Sequence, residues 1–215
     1  GGDSGGNVTS AGALQRAAAV VKTYGYYLWI LFWPFDLNAE RPFEVPASFA
    51  EPSVLASLLV LTALTAVLVR SLKGRNAAGF PLGWILLTLL PVSNIIYLSG
   101  RPIAEQRLYI PSFGFCFLLS LGLARLWHDG VKGFPSRYAR PAAAVLTPCL
   151  ILLYSAVTLE RNTDWEDPMT FWSETLEQSP RSGRAHNNLG FAFSSLGEHK
   201  KAIPLYERSL ELNPD

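Results

Sequence analysis

The sequence has few charged residues and few cysteines, and both shortages narrow the class of protein. Charged residues make up 16% of the 215 positions, whereas an ordinary soluble domain carries roughly 25%. The formal net charge is +1 and no basic stripe is present, so nothing in the composition indicates a nucleic-acid partner. The two cysteines, Cys116 and Cys149, both lie in apolar segments. That placement argues against a disulfide framework and a thiolate metal site, and it predicts two buried apolar thiols.

Long apolar runs are what the sequence has instead. A helix that crosses the hydrocarbon core needs about 20 mainly apolar residues, and a charge at its centre costs about 2.5 to 3.5 kcal/mol on insertion scales. Lys22 and Arg125 lie near the ends of such runs, from where their side chains can snorkel. We therefore predict an all-α fold, a polytopic membrane helix bundle with about five transmembrane helices. The predicted helices cover residues 17–35, 53–69, 80–98, 108–127 and 141–159.

Prolines mark several of the predicted helix ends. Pro81 and Pro141 are placed where a first helical turn is expected, a position that tolerates proline. Pro91 and Pro148 lie inside apolar runs and are expected to kink their helices, with neighbours in a bundle satisfying the freed carbonyls. Five core helices of a soluble protein are the alternative. A soluble helix normally carries a polar face, however, and segment 53–69 offers only Ser and Thr.

Lysine and arginine are concentrated in alternate connecting loops. Residues 70–79 carry three basic residues and no acid, and residues 125–140 carry four basic residues against one acid. An excess of Lys and Arg marks the cytoplasmic side of a membrane protein, so both loops are predicted to be cytoplasmic. Loops 36–52 and 99–107 then face the other side. Alternation over five helices places the N-terminal stretch in the cytoplasm and everything after Leu159 outside it.

The tail after residue 160 repeats itself. Segment 172–180 aligns with segment 206–214 at an offset of 34 residues, which is the period of the tetratricopeptide repeat. In that pattern small residues let two antiparallel helices approach, larger ones fill the space between them, and Gly and Pro end each helix. One unit cannot bury its own faces, so the array is expected to continue or to cap on something else. The positions that the pattern requires are occupied by Leu189, Gly190, Phe193, Gly197, Ala202, Tyr206 and Pro214.

The ends of the chain suggest a piece of a longer protein. The chain opens with Gly1 rather than Met and stops at Asp215, immediately after a repeat-like segment. The sequon Asn7-Val8-Thr9 lies on the predicted cytoplasmic side and is expected to be unused. Three regions are predicted: a flexible segment over residues 1–12, a transmembrane helical domain over 13–160, and a tetratricopeptide α-solenoid that starts in 161–215 and continues past 215.

Ionisable residues are clustered between the third and fourth predicted membrane helices, on the extracytoplasmic side. Arg107 could bind a phosphate or pyrophosphate group at this rim. Glu105 could hold that arginine or act as a general base near it. The alternative is a local Glu–Arg pair that anchors a helix end at the membrane interface, and the spacing alone leaves both interpretations open.

Three segments, followed by the repeat, carry a resemblance to a known family. They are Leu31-Phe32-Trp33-Pro34-Phe35-Asp36-Leu37, the run over residues 104–116 that contains Ala104-Glu105-Gln106-Arg107-Leu108-Tyr109, and Arg161-Asn162-Thr163-Asp164-Trp165-Glu166. Together with the repeat they cover most of residues 25–215. In these segments the sequence resembles the transmembrane and tetratricopeptide repeat-containing family, including its bacterial relatives. That family in turn is similar to type-C glycosyltransferases.

The resemblance implies an enzyme that transfers a sugar at the membrane surface. The donor would be dolichyl-phosphate mannose or a bacterial polyprenyl-phosphate analogue, the acceptor would be Ser or Thr of proteins, and the repeats would present that acceptor. Such enzymes would lie in the endoplasmic reticulum membrane of a eukaryote or the inner membrane of a bacterium. The catalytic Asp of that fold is expected upstream of Gly1. This chain would supply the donor-phosphate rim, for which the candidates are Arg107, Glu105 and Arg101.

Two other functions compete with the enzyme hypothesis. A membrane-anchored scaffold would use the concave repeat surface to bind a partner protein without doing chemistry, and a repeat that serves as a mere spacer is also open. A transporter is the weaker option, because its membrane core should hold polar or charged residues in the middle of the bilayer. Only Asn94 and a few Ser and Thr residues occupy such positions here.

Overall fold

The computed structural model describes residues 11–35, 37–41, 43–95, 103–128 and 136–213. Within these ranges all regular secondary structure is helical, which confirms the all-α prediction. Eight α-helices are present in the described ranges, together with a short 3₁₀ turn at Glu105–Leu108. The α-helices are α1 (Ala13–Phe32), α2 (Pro52–Lys73), α3 (Gly79–Leu89), α4 (Tyr109–His128), α5 (Ser136–Asp164), α6 (Pro168–Gln178), α7 (Gly183–Ser195) and α8 (His199–Leu212).

Three helical segments are long and apolar enough to cross a membrane. They are Pro52–Lys73, Glu105–His128 and Arg137–Asp164, with 22, 24 and 28 residues. Only 6% of the apolar window of the first and of the third is buried inside the protein. Helices that expose so many apolar side chains are stable in lipid and not in water. The molecule is therefore a membrane-type helix bundle followed by a helical repeat.

The third predicted membrane helix is shorter than expected. The sequence predicts a helix over 80–98, but α3 ends at Leu89 and has 11 residues. Eleven residues rise only about 16 Å, roughly half of the 30 Å hydrocarbon core. Pro91 ends the helix rather than kinking it, because it has no backbone N–H to donate to the preceding turn. Residues 96–98 of the prediction lie outside the described residues.

The first predicted membrane helix has a different role from the one expected. Helix α1 spans Ala13–Phe32 instead of 17–35, and it stops two residues before Pro34. It is not among the three apolar spans, although its 20 residues would suffice in length. Eight of these residues are buried in the protein, and Ala18 and Tyr27 are completely enclosed. Helix α1 is thus the central helix of the core rather than a lipid-facing span.

The fifth predicted helix also begins earlier than its proline suggested. Helix α5 starts at Ser136, so Pro141 lies inside the helix and not in its first turn. Pro148 lies inside the same helix, which nevertheless continues to Asp164. The two cysteines, Cys116 on α4 and Cys149 on α5, are free and exposed. The prediction of buried thiols was wrong, because these helices present most of their surface to the surroundings of the bundle.

The connecting segments are sorted between the two ends of the bundle as the charge pattern predicts. At one end the guanidinium of Arg125 donates a hydrogen bond to the side-chain carbonyl of Asn76, which joins the two basic loops. At the opposite end Arg161 donates to Glu105, so the 3₁₀ turn meets the beginning of the tail there. Which end faces the cytoplasm stays a prediction from the distribution of Lys and Arg.

Helices α7 and α8 form the antiparallel pair of one repeat unit. A Cβ atom on Gly190 would lie 3.0 Å from the Tyr206 ring, a tight contact that glycine avoids. Gly197 connects the two helices with a φ of +78°, a left-handed conformation that glycine adopts without strain. Leu189 and Ala202 are buried between the helices, whereas Phe193 is half-buried. Pro214 lies outside the described residues.

Candidate functional site at the junction of the membrane helices and the repeat

Polar side chains from the membrane helices and from the repeat meet at one end of the bundle. They come from the segment after α1, the 3₁₀ turn, the end of α5 and the first repeat helices, which are distant in sequence. This is the end to which the sequence analysis assigned the phosphate-binding rim. We call the group the junction cluster, and it consists of Asn38, Glu40, Glu105, Arg161, Asp164, Ser179 and Arg184.

Arg161 is the centre of the junction cluster. Its Nη2 lies 3.1 Å from Oε2 of Glu105 and its Nη1 lies 3.2 Å from Oδ2 of Asp164. The guanidinium also lies 6.0 Å from the ring centroid of Trp165 and 5.8 Å from that of Phe171, distances at which cation–π attraction contributes. The side chain of Arg161 is 18% exposed and that of Glu105 is 13% exposed. An ion pair this sheltered leaves a costly uncompensated charge when one partner is removed.

Glu105 connects three parts of the chain. It begins the 3₁₀ turn that leads into α4. Its Oε1 accepts a hydrogen bond from the backbone N–H of Asn38, and its Oε2 accepts from Arg161. Both carboxylate oxygens are therefore used within the protein. The carboxylate holds the end of α5 and the segment after α1 against the start of α4.

Two further contacts join the repeat to the segment after α1. The side-chain amide of Asn38 donates to Oγ of Ser179 over 2.9 Å, and both side chains belong to buried residues. Arg184 on α7 donates to Glu40 over 3.5 Å. Buried polar groups need such partners, since an unsatisfied one costs about 1 to 3 kcal/mol. These contacts fix the first repeat helices against the membrane bundle.

Helix α6 begins immediately after the junction with a well-formed cap. The carboxylate of Asp167 accepts hydrogen bonds from the backbone N–H groups of Met169 and Thr170 over 3.2 and 2.9 Å. The hydroxyl of Thr170 donates to the same carboxylate over 2.7 Å. These hydrogen bonds, that from the Thr170 hydroxyl foremost, hold the pKa of Asp167 below its ordinary value. The cap sets where the chain leaves α5 and starts the repeat.

A polar cavity of about 250 Å³ opens beside the junction cluster. It lies between the end of α5, helix α6 and the turn that follows α1. Its polar wall is formed by Glu160, Arg161, Asp164, Glu174 and Gln178. A cavity of this size can take a side chain or a short polar segment. Over the described ranges no group of three His, Cys, Asp or Glu side chains is arranged to hold a metal ion.

Comparison with known proteins agrees with both halves of this architecture. The tetratricopeptide repeat family matches residues 183–215, the region that contains α7 and α8. Protein O-mannosyl-transferase Tmtc3 of Drosophila melanogaster is 28% identical over 205 residues, which are 90% of this chain and 22% of that protein. Protein O-mannosyl-transferase TMTC3 of Mus musculus is 27% identical over 90% of this chain and 21% of that protein. Protein O-mannosyl-transferase F38B6.6 of Caenorhabditis elegans is 28% identical over 88% and 26%.

The chain is therefore similar to these protein O-mannosyl-transferases over most of its length, and its tail matches the tetratricopeptide repeat. It spans about a fifth to a quarter of the length of these three curated relatives. The similarity covers 90% of the chain, so it includes membrane helices as well as the repeat. No solved structure matches the chain.

The structure locates the residues that the sequence singled out. Glu105 is in the junction cluster, Arg107 is half-buried two residues further along the same 3₁₀ turn, and Arg101 lies outside the described residues. A role of these residues in phosphate binding stays a prediction. What the structure adds is that Glu105 binds Arg161, which lies 56 residues further along the chain.

The sequence analysis missed Arg161, Asp164 and Asn38 as site residues. Arg161 and Asp164 belong to the segment over 161–166 that carried part of the family resemblance, yet no role was assigned to them. A signal was present, because opposite charges three residues apart directly follow the last apolar helix. Asn38 gave no such signal, since its importance comes only from folding against Ser179.

Proposed function

We propose that this chain forms part of the membrane domain of a protein O-mannosyltransferase, with the first repeats attached to its extracytoplasmic rim. The enzyme transfers mannose from a dolichyl- or polyprenyl-phosphate donor to Ser or Thr of acceptor proteins, and the repeats present the acceptor. The names of the relatives and their match over 90% of the chain support this proposal. In a eukaryote the membrane is that of the endoplasmic reticulum, and in a bacterium it is the inner membrane.

One observation carries the proposal: hydrogen bonds and ion pairs join the repeat to the rim that bears Glu105 and Arg107. A transferase that acts on a protein must bring the acceptor hydroxyl to the lipid headgroup, which stays at the membrane surface. Holding both reactants in one place removes much of the entropic barrier to their reaction. The contacts of Arg161 with Glu105 and of Asn38 with Ser179 supply that fixed geometry.

The chemistry of the rim follows from its charges. In an inverting transfer, the acceptor oxygen forms a bond to C1 of the sugar while the bond from C1 to the phosphate oxygen breaks. The phosphate leaves with the electron pair, and a carboxylate takes the proton of the acceptor hydroxyl. Arg107 and Arg101 are proposed to stabilise the charge that develops on the departing lipid phosphate. Glu105 is engaged by Arg161, so it is proposed to position the turn that carries Arg107.

The test is a transfer assay with the full-length protein in proteoliposomes, using a mannosyl-phosphate lipid and an acceptor protein. Replacing Arg107→Ala is expected to lower transfer at least tenfold, because the leaving phosphate loses a charged donor. Arg107→Lys should retain part of the activity, since it keeps the charge but not the planar fork. Arg75→Ala, an exposed residue in the loop between α2 and α3, is the matched control and should transfer normally.

The same assay separates the competing functions. Normal transfer by Arg107→Ala would remove Arg107 from the site. Absence of transfer by the unmodified protein, with every polyprenyl- and dolichyl-phosphate mannose tried, would favour a membrane-anchored scaffold that only binds partner proteins through its repeats.

A further inference from the structure

Helices α1 and α2 run in the same direction where they pack together. A Cβ atom on Gly25 would lie 3.0 Å from the Cα of Ser57, so the helices cross closely at these two residues. Nζ of Lys22 lies 2.7 Å from Oε1 of Glu51, the residue that caps the start of α2. On both helices this ion pair is on the N-terminal side of the Gly25–Ser57 contact. Two consecutive helices that each cross a bilayer would have to run in opposite directions.

The segment that joins the two helices returns along the outside of α1. The guanidinium of Arg41 lies 5.1 Å from the ring centroid of Tyr26, and further along the segment the backbone carbonyl of Glu44 accepts from Lys22 over 3.3 Å. As the segment advances it therefore contacts earlier residues of α1. It begins at the C-terminal end of α1 and finishes beside the middle of that helix, where α2 starts.

The C-terminal end of α1 reaches to the middle of the bundle and no further. The ring of Phe32 lies 4.8 Å from that of Phe115, and the backbone carbonyl of Leu31 accepts from the hydroxyl of Tyr154 over 3.4 Å. Phe115 follows the rim residue Glu105 by ten positions, which corresponds to a rise of about 15 Å. Tyr154 precedes the end of α5 by the same ten positions. Both rises correspond to a depth of about half of a 30 Å hydrocarbon core, measured from the end that carries Glu105.

The turn at this depth has the composition that a turn inside a membrane needs. Irregular backbone at membrane depth is tolerated where its polar groups are satisfied within the protein. The N–H of Trp33 donates to the carbonyl of Trp29 over 2.8 Å, and Pro34 has no N–H to satisfy. The side chains of Trp33 and Phe35 are exposed and contact each other edge to face over 4.8 Å. Residues 31–35, the described part of the segment that the sequence singled out without a role, thus end α1 and begin a turn whose Trp33 and Phe35 side chains are exposed.

We propose that residues 13–51 form a re-entrant loop that enters and leaves the bilayer from the side of the repeats. Residues before Ala13 then lie on that side, which reverses the cytoplasmic placement obtained from five alternating helices. The side of the repeats themselves is unchanged, because the basic loops still meet at the other end. As a consequence Asn7-Val8-Thr9, the only Asn-x-Ser/Thr sequon in the sequence, becomes an N-glycosylation site wherever the repeats are lumenal. This inference does not depend on sugar transfer by the protein.

The first test uses the natural sequon as the reporter. The full-length protein is expressed in mammalian cells and treated with an endoglycosidase that removes N-glycans. On a denaturing gel, Asn7→Gln and Thr9→Ala are each expected to migrate faster than the untreated unmodified protein by the mass of one glycan. After treatment all three proteins should migrate alike. No difference between Asn7→Gln and the unmodified protein would contradict the proposal.

The second test asks about sidedness without glycosylation. Cys116 and Cys149 are replaced by Ala in the full-length protein, whose remaining cysteines are also removed. Single cysteines are then introduced as Gly12→Cys, Glu198→Cys in the repeat, or Asn76→Cys in the basic loop. In sealed microsomes a membrane-impermeant maleimide should label Asn76→Cys and leave Gly12→Cys and Glu198→Cys unlabelled until detergent is added. Labelling of Gly12→Cys together with Asn76→Cys, while Glu198→Cys is protected, would overturn the re-entrant loop.

Discussion

Arg161 lies between the membrane bundle and the repeat, with its Nη2 3.1 Å from Oε2 of Glu105 and its Nη1 3.2 Å from Oδ2 of Asp164. Glu105 begins the 3₁₀ turn that leads into α4, and Asp164 ends α5. A single guanidinium therefore joins the starts and ends of two membrane segments at the point where the repeat begins. Trp165 and Phe171 cover the same group from the side of the repeat. Replacing Arg161 should therefore weaken the contact between the repeat and the bundle, while each of the two parts stays folded.

Arg161→Met should loosen the junction strongly. The change keeps most of the side-chain volume but leaves the sheltered carboxylate of Glu105 without its cation. We expect this to destabilise the junction by about 3 kcal/mol. Hydrogen–deuterium exchange of the protein in nanodiscs should show faster exchange in α6 and at Asn38, with little change in α2. Double replacement with Glu105→Gln should cost less than the sum of the two single changes, because the lone charge is then gone.

The control for this prediction is the exposed ion pair in the repeat. Arg208 and Glu211 are 51% and 64% exposed and three residues apart on α8. Such surface pairs contribute little to stability, so Glu211→Gln should leave the exchange of α6 unchanged. Equal effects of Arg161→Met and Glu211→Gln would show that the junction pair has no special role.

Gly190→Ala should destabilise the repeat. The added methyl group would meet the Tyr206 ring at 3.0 and 3.1 Å, and overpacking of this kind costs about 1 to 3 kcal/mol. The gain in helix propensity of alanine over glycine offsets at most about 1 kcal/mol of that cost. The same change at Gly122, where a Cβ meets nothing within 4 Å, is the matched control. The melting temperature of the repeat should be lower for Gly190→Ala than for the unmodified protein, and it should be unchanged for Gly122→Ala.

Gly25→Ala should disturb the contact between α1 and α2. The new methyl group would overlap the side chain of Ser57 and lie 3.0 Å from its Cα, which again costs about 1 to 3 kcal/mol. Adding Ser57→Gly removes the overlapping atoms and should recover part of the loss. Gly83→Ala, whose nearest neighbour would be a Leu68 methyl group at 3.8 Å, should be neutral. The melting temperature in detergent measures all three variants, and full stability of Gly25→Ala would contradict the close crossing.

The first turn of α6 should weaken in acid. The pKa of Asp167 is lowered in the folded protein, so its ionised form binds Met169 and Thr170 better than the protonated form does. The stabilisation is present above the ordinary pKa of about 4 and is lost as the pH falls through the lower folded value. Amide exchange at Met169 and Thr170, corrected for intrinsic rates, should therefore become faster as the pH falls below that value. Asp167→Asn should show no such dependence on pH, and the same acceleration in that variant would assign it to another group.

The sequence predicts much of this architecture because lipid imposes simple rules. The uncharged run in α2 and the 34-residue period of the tail each reflect one element and its immediate surroundings. Helix α1 was predicted as a helix but wrongly as a membrane span, because an apolar helix buried in protein and one that crosses lipid have similar composition. Its burial depends on contacts with distant residues, including those of the following segment with Tyr26 and Lys22, which no local sequence pattern indicates.

The site could be predicted only in part, for a related reason. Glu105 was singled out because ionisable residues at a membrane rim are conspicuous, but its partner lies 56 residues away in sequence. Asn38 and Ser179 are ordinary polar residues, and only the fold brings them within 2.9 Å. The sequence shows which residue types lie at the membrane rim, because the environment selects them. It does not show which distant segments pair there, because that depends on how the helices pack.

The most direct measurement of the central claim compares two acceptors in the proteoliposome transfer assay. If the junction cluster holds the repeats so that they present an acceptor protein to the rim, the double variant Ser179→Ala/Arg184→Met should lower kcat/KM for a folded acceptor protein at least tenfold, because it removes the contacts of the repeat with Asn38 and Glu40 and leaves Arg161 paired with Glu105. Transfer to a short Ser/Thr peptide, which does not need the repeats, should stay within twofold of the unmodified enzyme. Equal losses with both acceptors, or normal transfer to the folded protein, would contradict the account.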